Sequence, residues 1–92
     1  MTKPKGITIA EVQMNPKFQE LTEILSQQGA EPRIIGGLAG RGWTNHDIDV
    51  GITKEGVKVP LDLLLLKFGR RWFPVSLTLL EKSKSKTTSR FY

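Results

Sequence analysis

The sequence predicts an α+β domain: a small mixed or antiparallel β-sheet backed by helices. Three observations carry that expectation. Residues 16–28 set Phe18, Leu21, Ile24 and Leu25 at three- and four-residue spacing behind an Asn-Pro start, as the buried stripe of a helix requires. Residues 47–52 alternate polar and apolar side chains strictly, as a half-buried strand does. A chain of 92 residues has room for one core, which excludes two ordinary domains.

The elements follow in order. Gly6 to Gln13 alternates in part and reads as a short first strand or an extended lead-in. Asn15 can accept from the free amides of a helix start and Pro16 is tolerated at the first helical position. Gly29 then supplies a C-terminal stop. Arg33, Ile34 and Ile35 form a short β-branched strand running into Gly36-Gly37, and residues 38–46 read as a loop with room for one helical turn. Residues 53–56 are a turn. Residues 57–66 are expected as a second strand beside 47–52, with Pro60 near its start or at an edge. If Glu55-Gly56 is the connecting loop, paired residue numbers sum to 111, and Asp49 faces Asp62. Residues 68–71 turn the chain again. Val75, Leu77 and Leu79 alternate with Ser76 and Thr78 as a last strand, with a short helix as the alternative. Residues 1–82 are read as one domain and 83–92, rich in Lys, Ser and Thr, as a basic, flexible tail.

Composition narrows the function. There is no cysteine, which excludes disulfide staples, thiolate nucleophiles and Cys-based metal sites. No apolar run approaches the ~20 residues that cross a bilayer. The first residues lead into no signal-type apolar segment, so a cytoplasmic or nucleoid location is expected and a membrane partner is not. The net charge of +5 is unevenly divided. Residues 1–66 hold seven Lys/Arg and eight Asp/Glu, and residues 67–92 hold seven Lys/Arg and one Glu, giving −1 and +6. Such asymmetry points to a polyanion-seeking segment on a nearly neutral body.

Three carboxylates are the candidate chemistry. Asp47 and Asp49 leave the same face of their strand while Ile48 and Val50 face the other way. Asp62 stands among Leu61, Leu63, Leu64, Leu65 and Leu66, where an acid is costly unless it is paired, metal-bound or open to water. Crowded carboxylates repel, and two divalent ions about 3.5–4 Å apart would relieve that repulsion and organise an in-line phosphoryl displacement. With no His or Cys in the set, Mg²⁺ or Mn²⁺ is the expected pair of ions. Gly36-Gly37 lets backbone approach an anion without Cβ obstruction.

The run Ile35-Gly36-Gly37, a nine-residue gap, Asp47-Ile48-Asp49-Val50 and then Pro60-Leu61-Asp62-Leu63 resembles the nucleotidyltransferase superfamily that includes DNA polymerase β. The resemblance covers about residues 16–66 and includes the helix that precedes the Gly-Gly pair. It implies that Asp47 and Asp49 bind both metals, that Asp62 joins one metal and helps activate an acceptor hydroxyl, and that Gly36 and Gly37 hold a nucleotide's triphosphate. The implied activity is transfer of a nucleoside monophosphate from an NTP to a hydroxyl of a protein, a nucleic acid or a small molecule, with release of pyrophosphate. The short chain looks most like the stand-alone minimal members, which pair with a separate helical partner, including in toxin–antitoxin systems.

Other residues carry two readings each. Arg41 is a phosphate candidate because guanidinium meets phosphate in bidentate fashion, and equally a structural surface Arg. Trp43 is a base-stacking candidate or a plug over the core, and His46 a metal or proton carrier or a surface residue. Arg70, Arg71 and Trp72 combine charge with an aromatic ring, the mixture used on nucleic acid or phosphate, or else close the core at a basic turn. The competing function is a non-catalytic module: a nucleic-acid-binding protein using the basic C-terminal third, or an antitoxin-like partner. An exposed sheet edge and leucines leave oligomer formation open.

Overall fold

The computed structural model describes residues 6–80. They form a mixed α+β fold in the order β1 (Ile7–Thr8), α1 (Ile9–Met14), α2 (Pro16–Gln27), β2 (Arg33–Ile35), α3 (Gly36–Arg41), β3 (Trp43–Thr44), β4 (Ile48–Ile52), a 3₁₀ turn (Leu61–Leu64), β5 (Leu65–Phe68) and β6 (Arg71–Leu79). The expected basic tail, 83–92, lies outside the described residues.

The N-terminal segment is extended only as far as Thr8, where a capping box takes over. The Thr8 amide donates to Glu11 Oε1 at 2.9 Å, and the Thr8 hydroxyl accepts from the Glu11 amide at 3.2 Å. Two free donors are thereby satisfied and α1 starts in place of the expected longer strand or lead-in. Asn15 next caps α2, accepting from Lys17 N at 2.8 Å and Phe18 N at 3.2 Å. Its own side-chain amide donates to Lys67 O at 3.4 Å, which ties the helix start to β5. The predicted stripe of α2 buries Phe18, Leu21 and Leu25 against Val12, Leu38, Ile48, Val50, Leu63, Leu66 and Phe73, while its fourth residue, Ile24, is half-buried at the edge of this core. Each of these fully covered side chains contributes about 1.5–3 kcal/mol.

The main sheet has the order β2-β4-β6-β5. β2 lies antiparallel to β4, with Ile35 opposite Asp49, and β6 lies parallel to β4, with Ser76 beside Asp49. β5 and β6 form a hairpin closed by Gly69-Arg70, where Gly69 at φ 64° occupies the first position of a type II′ loop. The long β6 is shared: residues 71–74 pair with β5 and residues 75–79 with β4, Pro74 standing at the handover. Ile48, Val50, Phe73 and Val75 face the helices, and the alternate residues face the other side.

Residues 57–66 are not a strand beside β4, which corrects the sequence expectation. Both flanks of β4 are taken, by β2 and β6. Residues 57–60 are held elsewhere by reciprocal bonds with Gln28: Lys58 N donates to Gln28 Oε1 at 2.9 Å, and Gln28 Nε2 donates to Lys58 O at 2.8 Å. Pro60, which cannot donate to a ladder, leads into the 3₁₀ turn. The pairing that summed to 111 therefore does not occur. The one helical turn expected within 38–46 is present, but it belongs to α3, which begins earlier, directly at Gly36, and holds residues 36–41; Trp43–Thr44 then forms β3.

Candidate metal and phosphate site

The strand alternation puts Asp47 and Asp49 on the side of the sheet away from the helices. Three local devices aim Asp47. The buried Thr44 hydroxyl donates to Asp47 O at 3.1 Å and accepts from His46 N at 3.2 Å, folding the approach to β4. Arg71 Nη2 donates to Asn45 O at 2.8 Å, pinning the same loop from β6. Ser76 Oγ donates to Asp47 Oδ2 at 3.2 Å, orienting the carboxylate itself.

Asp49 sits over the junction of β2 and α3. Gly36 has φ +73°, and a Cβ built there would overlap the Asp49 carboxylate, so only glycine allows the close approach. The Asp49 carboxyl is held above the ordinary value of 3.8, first by partial burial and then by the neighbouring Asp47 charge. The two carboxylates therefore form an interacting pair, in agreement with the sequence reading. The Gly-Gly start of α3 has no side-chain cap. Arg41, at the last turn of that short helix, folds back so that its Nη2 would lie 2.6 Å from a Cβ on Gly37. Its guanidinium covers the Trp43 ring at 4.8 Å from the centroid, giving the exposed cation a fixed place beside Gly37. Trp43 is half-buried and His46 is exposed.

Asp62 is the correction. It lies on the 3₁₀ turn, not on a strand facing Asp49, with its side chain 69% exposed and paired with Lys17 Nζ at 3.4 Å. The turn points Leu63 inward and leaves the acid in water, which removes the cost that a buried strand would have imposed. Among the described residues no group of three or more His, Cys, Asp or Glu side chains could hold a metal ion. The strand position beside Asp49 is held by Ser76, a hydroxyl and not an acid. Ser76 and the anchoring role of Arg71 are not visible in the sequence, because only the parallel register brings β6 to the aspartates, whereas Thr44 holds Asp47 from three residues away.

Arg70, Arg71 and Trp72 separate. Arg70 is at the hairpin tip. Arg71 turns to the helix side and lies over Phe73, 4.9 Å from its centroid, while Trp72 faces the side that carries the aspartates. A cavity of about 220 Å³ bordered by Phe18, Thr22, Arg33 and Ile34 opens between α2 and β2, and no carboxylate lines it. No described helix is long and apolar enough to cross a membrane. Comparison with known proteins gives no further guide: no family model, no curated protein and no solved structure matches this chain.

Proposed function

We propose that this chain is a divalent-cation-dependent nucleotidyltransferase acting through Asp47 and Asp49, with Asp62 outside the reacting group. The observation that supports this most is the meeting of an interacting aspartate pair with Gly36 at a strand–Gly-Gly–helix junction. Two carboxylates suit Mg²⁺ or Mn²⁺, which take one or two from the protein and complete their shell with water and substrate phosphates. A bound ion would supply charge neutralisation to the pair and to the triphosphate. With two protein carboxylates in the set, a second ion would rest mainly on phosphate oxygens.

The chain's own residues divide the remaining work. Ser76 fixes the Asp47 carboxylate and Gly36 makes room for the Asp49 carboxylate at the strand–helix junction. Arg41 presents a planar donor fork to the triphosphate. The acceptor hydroxyl attacks the α-phosphorus and gives its proton to solvent water, the bond to the bridging oxygen breaks and pyrophosphate leaves; the protein contributes position and electrostatics. The acceptor, with or without a helical partner subunit, comes from outside the chain.

Mn²⁺ titration followed at backbone amides tests the reading. Selective broadening is expected at residues 36–37 and 47–50 and not at residue 62, with transfer of labelled NMP to a pool of cellular protein and RNA as the companion assay. Uniform or absent broadening would remove the basis of the proposal. Asp62→Asn is expected to leave Mn²⁺ affinity and transfer within about twofold of wild type, and to change stability by under about 1 kcal/mol, since exposed ion pairs contribute little. A large loss of Mn²⁺ affinity in that variant would restore Asp62 to the site.

A further inference from the structure

The side of the sheet that bears Asp47 and Asp49 carries more than the acids. Along β6 the same side presents Ser76, Pro74 and Trp72, and on β5 it presents Leu65 and Lys67. The register sets Lys67 beside Trp72 and Leu65 beside Pro74. Trp72 is 57% exposed and Leu65 46% exposed, and Lys67 and Pro74 are exposed as well. Lys67 Nζ lies 5.6 Å from the Trp72 ring centroid. Arg70 adds a second cation at the hairpin tip, and neither Lys67 nor Arg70 has a carboxylate partner among the described residues. At ~3.3 Å per residue, Trp72 is about 13 Å along the strand from Ser76, which touches Asp47.

We propose that this strip binds single-stranded nucleic acid, with a base stacked on Trp72 and adjacent phosphates on Lys67 and Arg70, and the strand running toward the aspartates. As the acceptor, that nucleic acid rests on the nucleotidyltransferase reading; as a ligand, it does not. An open indole bordered by apolar surface and flanked by cations meets the two demands of such a ligand, a π-face for the base and positive charge for the backbone. A groove of about 210 Å³, bordered by Asn15, Lys17, Asp62, Leu65, Lys67 and Trp72, continues the strip beside the ring and gives room for a sugar. A second copy of this chain fits the strip less well. Self-association through the strip would bring Lys67 and Arg70 against their own copies, like charge on like charge.

The test is fluorescence anisotropy of a labelled single-stranded oligonucleotide with the full chain in EDTA, across a salt series. Trp72→Ala is expected to weaken binding about tenfold, Trp72→Phe to restore most of it, and Lys67→Ala to lower the salt slope by about one. Because the assay contains no divalent ion, loss of the strip and loss of the nucleotidyltransferase reading are read separately. Wild-type affinity in a folded Trp72→Ala protein would overturn the proposal. So would equal competition by a duplex or by polyglutamate, or a Trp72-dependent dimer in sedimentation.

Discussion

Replacing Asp49 by Asn is expected to abolish NMP transfer, by about a thousandfold or more, while the protein stays folded. The loss follows from removing one of two carboxylates that the structure brings together, and a thousandfold corresponds to about 4 kcal/mol of transition-state stabilisation. The stability effect has the opposite direction. Asp49 holds its proton more tightly in the folded chain than at the ordinary value of 3.8, because of burial and the Asp47 charge. Its ionisation therefore disfavours folding above its raised pKa, and that penalty disappears as pH falls toward 3.8. Asp49→Asn should be at least as stable as wild type at neutral pH, with the advantage shrinking as the solution is acidified through the Asp49 titration. Mn²⁺ should raise the melting temperature of wild type and leave that of the variant unchanged. Wild-type transfer by Asp49→Asn would end the catalytic assignment, and a lower melting temperature at neutral pH would contradict the repulsive pair.

The second large effect is expected at Gly36. A valine there meets two obstacles: a left-handed backbone that a β-branched residue rarely adopts, and overlap of its Cβ with the Asp49 carboxylate. Strain of this kind costs about 1–3 kcal/mol, and in a domain of this size each kcal/mol lowers the melting temperature by about 4–8 °C. Displacement of Asp49 should also weaken Mn²⁺ binding at least tenfold, comparable to the loss of an outer-shell support. Gly40→Ala is the control from the same helix. A Cβ at Gly40 meets nothing, so this variant should gain about 0.5–1 kcal/mol and keep its Mn²⁺ affinity. Equal Mn²⁺ affinity in Gly36→Val and wild type would show that Asp49 does not depend on the glycine.

Local signals were legible and partner choice was not. The stripe of Phe18, Leu21 and Leu25, the Asn15 cap, the β2 triplet and the alternation of β4 all appear in the fold as the sequence predicts. These features depend on neighbours within one or two turns. The Thr8-Ile9-Ala10-Glu11 capping box was also readable, but partial alternation around it suggested extension. Alternation correctly put Asp47 and Asp49 on one side, because side-chain direction has a period of two whatever the partner strand is. It could not say that the partners of β4 are β2 and β6. The hairpin expected from Glu55-Gly56 was the nearest pairing in sequence, and the Gln28 bonds to Lys58 that displace it join residues 30 apart. Asp62 fell with that pairing. Ser76, by contrast, reads in the sequence as an ordinary polar position between Val75 and Leu77. Only the parallel register gives it a carboxylate to hold.

The division of β6 at Pro74 also sets an order of assembly. Residues 71–74 can zip to β5 across a two-residue loop, an event of about 1–10 μs that needs no other part of the chain. Residues 75–79 must wait for β4, more than twenty residues upstream, and the entropy of closing that loop precedes any reward from the pairing. Ser76 reaches Asp47 only at this later step. Native-state hydrogen exchange should therefore show the 75–79 amides opening separately from the 65–74 hairpin, and a single common opening would refute the order. Nucleotide chemistry at the aspartates would then be available only to chains that have completed their least local contact.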